Sequence, residues 1–101
     1  KCEDAKKAVT IDKVARAVGE FYGVAISDFL SASRSQRVSS ARHVAVYLAR
    51  ELTGKSFENI AEYFNKKHTT MLYSYEKIKE DLKVNKELED AVKEIKKCMT
   101  T

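Results

Sequence analysis

Proline and tryptophan are absent from this chain, and glycine occurs three times, at Gly19, Gly23 and Gly54. That excludes a flexible linker, a proline-rich recognition segment or a low-complexity tract. Cysteine is almost absent too. Cys2 and Cys98 lie near opposite ends without C-x-x-C spacing, so no zinc framework is expected. Reduced thiols in a cytoplasmic protein are the default, and a disulfide between the termini has nothing to support it. No apolar run approaches the ~20 residues of a membrane-spanning helix, and no secretory signal is visible. No stretch alternates with period two over a useful length, so strands are not expected. A Gly-rich phosphate loop is also lacking. Neither His43 nor His68 has a nucleophile or metal-ligand partner at recognisable spacing, so no catalysis, metal or cofactor is expected of this chain.

What is present fits one helical domain. A chain of 101 residues with 44% hydrophobic content can build one core but not two. Residues 1–101 are therefore taken as a single domain. The chain starts at Lys1 rather than Met, which points to a fragment of something longer. Net charge is +4, and its location is informative. Residues 1–30 balance five basic against five acidic side chains, and residues 71–101 balance seven against seven. The excess lies in residues 31–70, where Arg34, Arg37, Arg42, Arg50, Lys55, Lys66 and Lys67 face only Glu51, Glu58 and Glu62. A localised basic patch is the electrostatic footprint of a polyanionic partner, whereas a merely solvated face would spread its charge more evenly.

Apolar spacing predicts about six helices and an all-α fold. Residues 1–9 are charged and either extend a preceding helix or fray. Thr10 caps a helix carrying Ile11, Val14, Ala15, Val18, Phe21 and Tyr22, and Gly23 ends it. Ser27 caps a short turn with Phe29 and Leu30, and Ser31 to Arg37 is expected as an exposed loop. Ser39 or Ser40 begins a long helix with Ala41, Val44, Ala45, Leu48 and Leu52 inward and Gly54 at its end. Asn85 restarts the chain before a last stripe of Leu88, Val92, Ile95 and Met99.

Between these lies the segment with functional character. Ser56 caps a helix in which Phe57, Ile60, Ala61 and Phe64 recur at i, i+3, i+4, i+7. A basic turn, Asn65-Lys66-Lys67, leads to a second helix opening on His68-Thr69-Thr70. Met71, Tyr75, Ile78 and Leu82 give that helix its core face, while Thr70, Tyr73 and Lys77 share an outward stripe. An apolar back, a polar front and cations in the turn are what a helix-turn-helix needs to enter the major groove of DNA. Thr69 and Thr70 each offer a hydroxyl for hydrogen bonding and a methyl to rest on thymine, and His68 can donate to a base or a phosphate. The same three residues are also respectable capping chemistry, although a cap needs one of them.

Other cations fit supporting roles. Arg34, among small polar residues, can reach into a narrow A·T minor groove, or it is simply a solvated loop arginine. Arg42 and Arg50, eight residues apart and expected off the apolar side of their helix, suit phosphate contacts, as do Lys66, Lys67 and Lys77. The amides opening the Ser56 helix could hold a phosphate as well. Lys6, Lys7, Lys13 and Arg16 could touch acidic phospholipid, with Asp4 and Asp12 diluting that charge. The alternative in another class is a helical protein-interaction module docking an acidic partner, and a further one is a helix-turn-helix transcription regulator.

The run from Thr10 to about Leu82 resembles the C-terminal DNA-binding domain of DnaA, the bacterial replication initiator. The matching pieces are Thr10-Ile11-Asp12, Phe21-Tyr22, Ser27-Asp28-Phe29-Leu30-Ser31, Arg34-Ser35, Ala49-Arg50-Glu51-Leu52-Thr53, and His68-Thr69-Thr70 followed by Tyr75-Glu76-Lys77-Ile78. This resemblance implies a Trp-repressor-like arrangement and binding to A·T-rich DnaA-box-type sites in a replication origin, in company with other copies of the full-length initiator. It implies minor-groove reading at Arg34, major-groove reading at His68, Thr69 and Thr70, and phosphate contacts at Arg42, His43, Arg50 and Lys77. ATP or ADP binding and ATPase activity are implied only for an N-terminal part of the full-length protein, with residues 1–9 as the remnant of a linker helix. The family usually carries Gly-Gly-Arg-Asp before its His-Thr-Thr. Here the turn is one residue shorter and lacks the acid, so an altered sequence preference on an unchanged fold is expected.

Overall fold

A threonine opens the first helix and a glycine closes it. In the computed structural model, which describes residues 9–31 and 35–100, helix α1 spans Ile11–Tyr22. The Thr10 hydroxyl accepts the Lys13 N–H at 3.2 Å, and Gly23 adopts a left-handed φ of 71° that frees its N–H to bond the Gly19 carbonyl. Val14, Ala15 and Val18 are fully buried on one face, as the apolar spacing predicts. Gly19 lies on that face as well. A Cβ there would stand 2.5 Å from the Val24 carbonyl oxygen, so the chain reverses against a helix that must lack a side chain at this point.

Helix α2 spans Ile26–Leu30 and starts earlier than Ser27 suggests, because Ala25 supplies the carbonyl that accepts from Asp28 and Phe29. Its one deep anchor is Phe29, which meets Phe64 edge-on at 6.1 Å. Helix α3 spans Gln36–Thr53. It begins one turn before Ser39, so Gln36 and Arg37 are helical rather than looped, with Val38 buried as the first core residue. Val44, Ala45, Val46, Leu48 and Ala49 are also buried, which means α3 is enclosed on most of its circumference. The reason is position: α1 packs on it from one side and the second helix of the helix-turn-helix from another. Gly54 ends α3 in a left-handed conformation.

Helices α4 (Phe57–Phe64) and α5 (His68–Asp81) follow, and α6 (Lys86–Thr100) closes the chain against α1 and α3. The Asn85 side chain accepts the Leu88 N–H at 3.0 Å and so restarts the last helix. Val92 and Ile95 are buried, with Leu88 and Met99 packed partly against the core. The described residues thus form six helices and no strand, as the sequence predicts. None of these helices is long and apolar enough to cross a membrane. Cys98 is an exposed, free thiol on α6. Expectations that fall on Cys2, Lys6, Lys7 and Arg34 lie outside the described residues.

Candidate nucleic-acid interface

The turn between α4 and α5 is built from backbone chemistry that only a few residues tolerate. Ser56 caps α4 by accepting the Asn59 N–H at 3.2 Å. Asn65 ends it at φ 58°, the single non-glycine residue with positive φ among those described. Its N–H bonds the Glu62 carbonyl at 3.3 Å and the Lys66 N–H bonds that of Ala61 at 3.0 Å. This paired closure is a Schellman turn, and asparagine enters the left-handed region at less cost than most side chains. The shortened turn is therefore complete with three residues.

Lys67 occupies the N-cap of α5 in extended conformation and makes no side-chain capping bond. His68, Thr69 and Thr70 sit inside the first turn and are all exposed. None of the three caps the helix. The Thr70 N–H is taken by the Lys67 carbonyl, but the amides of His68 and Thr69 ahead of it keep their capacity for an outside acceptor, and three polar side chains project with them. Behind them Met71, Ser74 and Ile78 are buried, while Thr70, Tyr73 and Lys77 lie exposed on the outward stripe. Leu72 and Tyr73, the latter 61% exposed, add apolar and aromatic surface beside Thr69.

Between α3 and the N-terminal half of α5 runs a cleft of about 540 Å³ that brings Arg42, His43, Lys66, Thr70 and Tyr73 together. Arg42 is only 9% exposed, a correction to its expected position off the apolar side. Its Nε donates to the Phe29 carbonyl at 3.5 Å, because α2 covers that side of α3. Burial pulls its pKa down from the usual arginine value.

His43 is half-buried. Its Nδ1 lies 2.7 Å from the Ser74 hydroxyl and its Nε2 3.5 Å from that of Ser39, and its ring meets Tyr73 edge-on at 6.0 Å. Burial first, then the positive charges of Lys77 and Arg42, push the imidazole below its usual value, with Asp81 opposing. The basic cleft therefore favours the neutral form of this imidazole.

The remaining expected residues are distributed around this centre. Lys66 donates from Nζ to the Ser31 carbonyl at 2.8 Å. Lys77 pairs with Asp81 at 3.8 Å. Arg50 does not line the cleft. Its Nη1 donates to the Lys55 carbonyl at 2.8 Å, and its guanidinium lies 5.0 Å from the Phe57 ring centre at the start of α4. Phe57 in turn meets Tyr75, which stacks on Tyr47 and donates to Glu51. That bond, together with burial, pushes the Tyr75 pKa up to about 12. Sequence reasoning gave Ser39 only a helix start, which the structure moves to Gln36, and assigned no role to Ser74. Ser74 was detectable as a hydroxyl on the apolar stripe between Met71 and Ile78, since a buried hydroxyl requires a partner.

The model of the family described as the bacterial dnaA protein helix-turn-helix matches residues 11–78, from the first residue of α1 into the last turn of α5. The chain belongs to this DnaA family. Chromosomal replication initiator protein DnaA from Caldanaerobacter subterraneus subsp. tengcongensis is 36% identical over 91 residues, covering 90% of this chain. The DnaA proteins of Thermoanaerobacter sp. strain X514 and of Thermoanaerobacter pseudethanolicus show the same identity over the same length. In each case the matched segment is 20% of the relative, so the chain spans about a fifth of the length of these DnaA proteins.

Proposed function

We propose that this chain is a sequence-specific double-stranded DNA-binding module that acts in the cytoplasm at A·T-rich, DnaA-box-type sites of a replication origin, in the initiation of chromosome replication. The observation that carries the reading is the head of α5 in a DnaA-family helix-turn-helix. There His68, Thr69 and Thr70 are exposed and no side chain caps the helix. With α5 in the major groove, the Thr69 and Thr70 hydroxyls and methyls meet base edges and His68 donates to a base or phosphate. Lys67 at the N-cap, the uncapped amides of α5, and Arg50 beside the start of α4 hold phosphates and fix register. Arg42 and His43 give the cleft beside α5 its capacity for a further phosphate, and Lys77, whose charge acts on His43, adds to it. Arg34 reads the adjoining minor groove.

The chain itself carries no catalysis in this reading. ATP binding and hydrolysis are assigned to another part of the full-length initiator, and other copies of that protein are its partners on DNA. The reading does not extend to acidic phospholipid. The Arg16 guanidinium, one of the cations that would face such a surface, is engaged by Asp12 at 2.7 Å.

Competition between a duplex carrying the box and one with the same bases scrambled tests the proposal. Preference for the box duplex by ~10³ or more at fixed salt is expected of a specific binder. Equal affinity for both would overturn it in favour of a module that docks acidic surfaces in general.

A further inference from the structure

Two adjacent lysines precede the reading helix, and they are not equivalent. Lys67 is exposed, with an extended backbone and a side chain that caps nothing. Lys66 is half-buried, and its ammonium donates to the Ser31 carbonyl 35 residues upstream. We propose that Lys66 is a positioning residue and not a phosphate contact: its bond to Ser31 sets where α5 begins relative to the end of α2. This rests on the DNA-reading role of α5 proposed above.

Something must fix that helix start. A side-chain cap would do so, and α5 has none. Its first residue is therefore held by the turn, and the turn by whatever grips it. Asn65 settles the backbone direction, and Lys66 reaches from the turn to a different element, the end of α2. The bond is charge-assisted and 2.8 Å long, so it fixes a distance between the turn and α2 even though it lies at the surface. Arg42 reaches the same end of α2 through the Phe29 carbonyl, so two cations of the basic segment converge on neighbouring carbonyl groups. Reading groups must be held to roughly 0.5 Å to discriminate between bases, which a three-residue turn with one anchor removed would not do. An ammonium already engaged by protein adds little to counterion release when DNA arrives, so Lys66 should contribute nothing to the salt slope.

The test compares wild type, Lys66→Met and Lys66→Arg on the box and scrambled duplexes across a salt series. For Lys66→Met the expected result is a roughly tenfold loss of preference for the box, one decade in the equilibrium constant, at an unchanged salt slope. Lys66→Arg should restore most of the preference. A slope shallower by about 0.9 with equal losses on both duplexes would make Lys66 a phosphate contact and overturn the proposal. A lowered Tm with preference and slope both intact would make it merely structural, and would overturn it equally. Wild type failing to prefer the box would show first that the DNA reading itself is wrong, and the positioning role would fall with it. Should Lys66→Met not fold, hydrogen exchange of the lysine ammonium groups in the wild type decides: slower exchange at Lys66 than at Lys67 is expected, and equal exchange refutes the bond.

Discussion

Ser74 and His43 hold each other across the contact between α3 and α5, the hydroxyl oxygen 2.7 Å from the ring nitrogen. Ser74 is sealed from solvent, so its hydroxyl depends on this imidazole, whose neutral form the surroundings favour. Folding therefore carries a proton linkage. The unfolded chain protonates His43 as pH falls through the ordinary value of 6.5, while the folded state, with its lowered pKa, resists. Stability from this group is fully present above 6.5 and is lost as pH falls below that value toward the folded pKa. Urea midpoints should be flat between about pH 8 and pH 7 and decline from about pH 6.5 downward, and His43→Gln should flatten the decline. An identical decline in His43→Gln would assign the linkage elsewhere.

Gly19→Ala should be destabilising although it improves helix propensity. Alanine in place of glycine favours a helix by about 1 kcal/mol, but the new methyl would stand 2.5 Å from the backbone oxygen of Val24. Backbone cannot swing aside as a flexible side chain can, so a net loss of about 1–3 kcal/mol is expected. Chemical denaturation measures it, and a more stable variant would show that the α1–α2 connection yields.

Much of this architecture was legible because its signals are local. Thr10 and Ser56 cap, Gly23, Gly54 and Asn65 adopt left-handed conformations, and the stripes of α4 and α6 face the core as spaced, as does that of α1 except for Phe21, which is 47% exposed. What escaped depends on other elements. Gln36 and Arg37 read as loop because they are polar, yet they are the solvent side of a turn whose buried side is Val38. Arg42 read as an outward cation because nothing local says that α2 lies across it. Helix α2 itself has five residues, too few to show a period, and its start is fixed by the Ala25 carbonyl rather than by Ser27. At the interface, the exposed triad at the head of α5 was readable from spacing, whereas the cap that one of its members was expected to supply is not formed. The His43 to Ser74 bond joins residues 31 apart and was not.

Arg50→Ala should lower both stability and DNA affinity. The guanidinium donates to the Lys55 carbonyl and lies over Phe57, a bond and a cation–π contact that together suggest about 1–2 kcal/mol of stability at a half-exposed site. If Arg50 also meets phosphate, box and scrambled duplexes should weaken alike, and the salt slope should become shallower by about 0.9. Binding curves measured well below the variant's Tm separate the two effects. An unchanged slope would confine Arg50 to bracing the start of α4.

Thr69→Ala separates recognition from architecture most directly. Threonine at the head of a helix can serve as a cap, and losing a cap costs about 1 kcal/mol. Here the N-cap is Lys67, no side chain caps α5, and Thr69 is exposed within the first turn. Alanine is the better helix former by up to about 0.7 kcal/mol, so Tm should hold or rise slightly. On the box duplex the variant loses a hydroxyl bond and a methyl contact, with an expected cost of about 1–3 kcal/mol. On the scrambled duplex, where phosphates supply the affinity, it should lose far less. Base discrimination that survives with Tm reduced would mean that Thr69 stabilises the helix start, and would remove it from the reading surface.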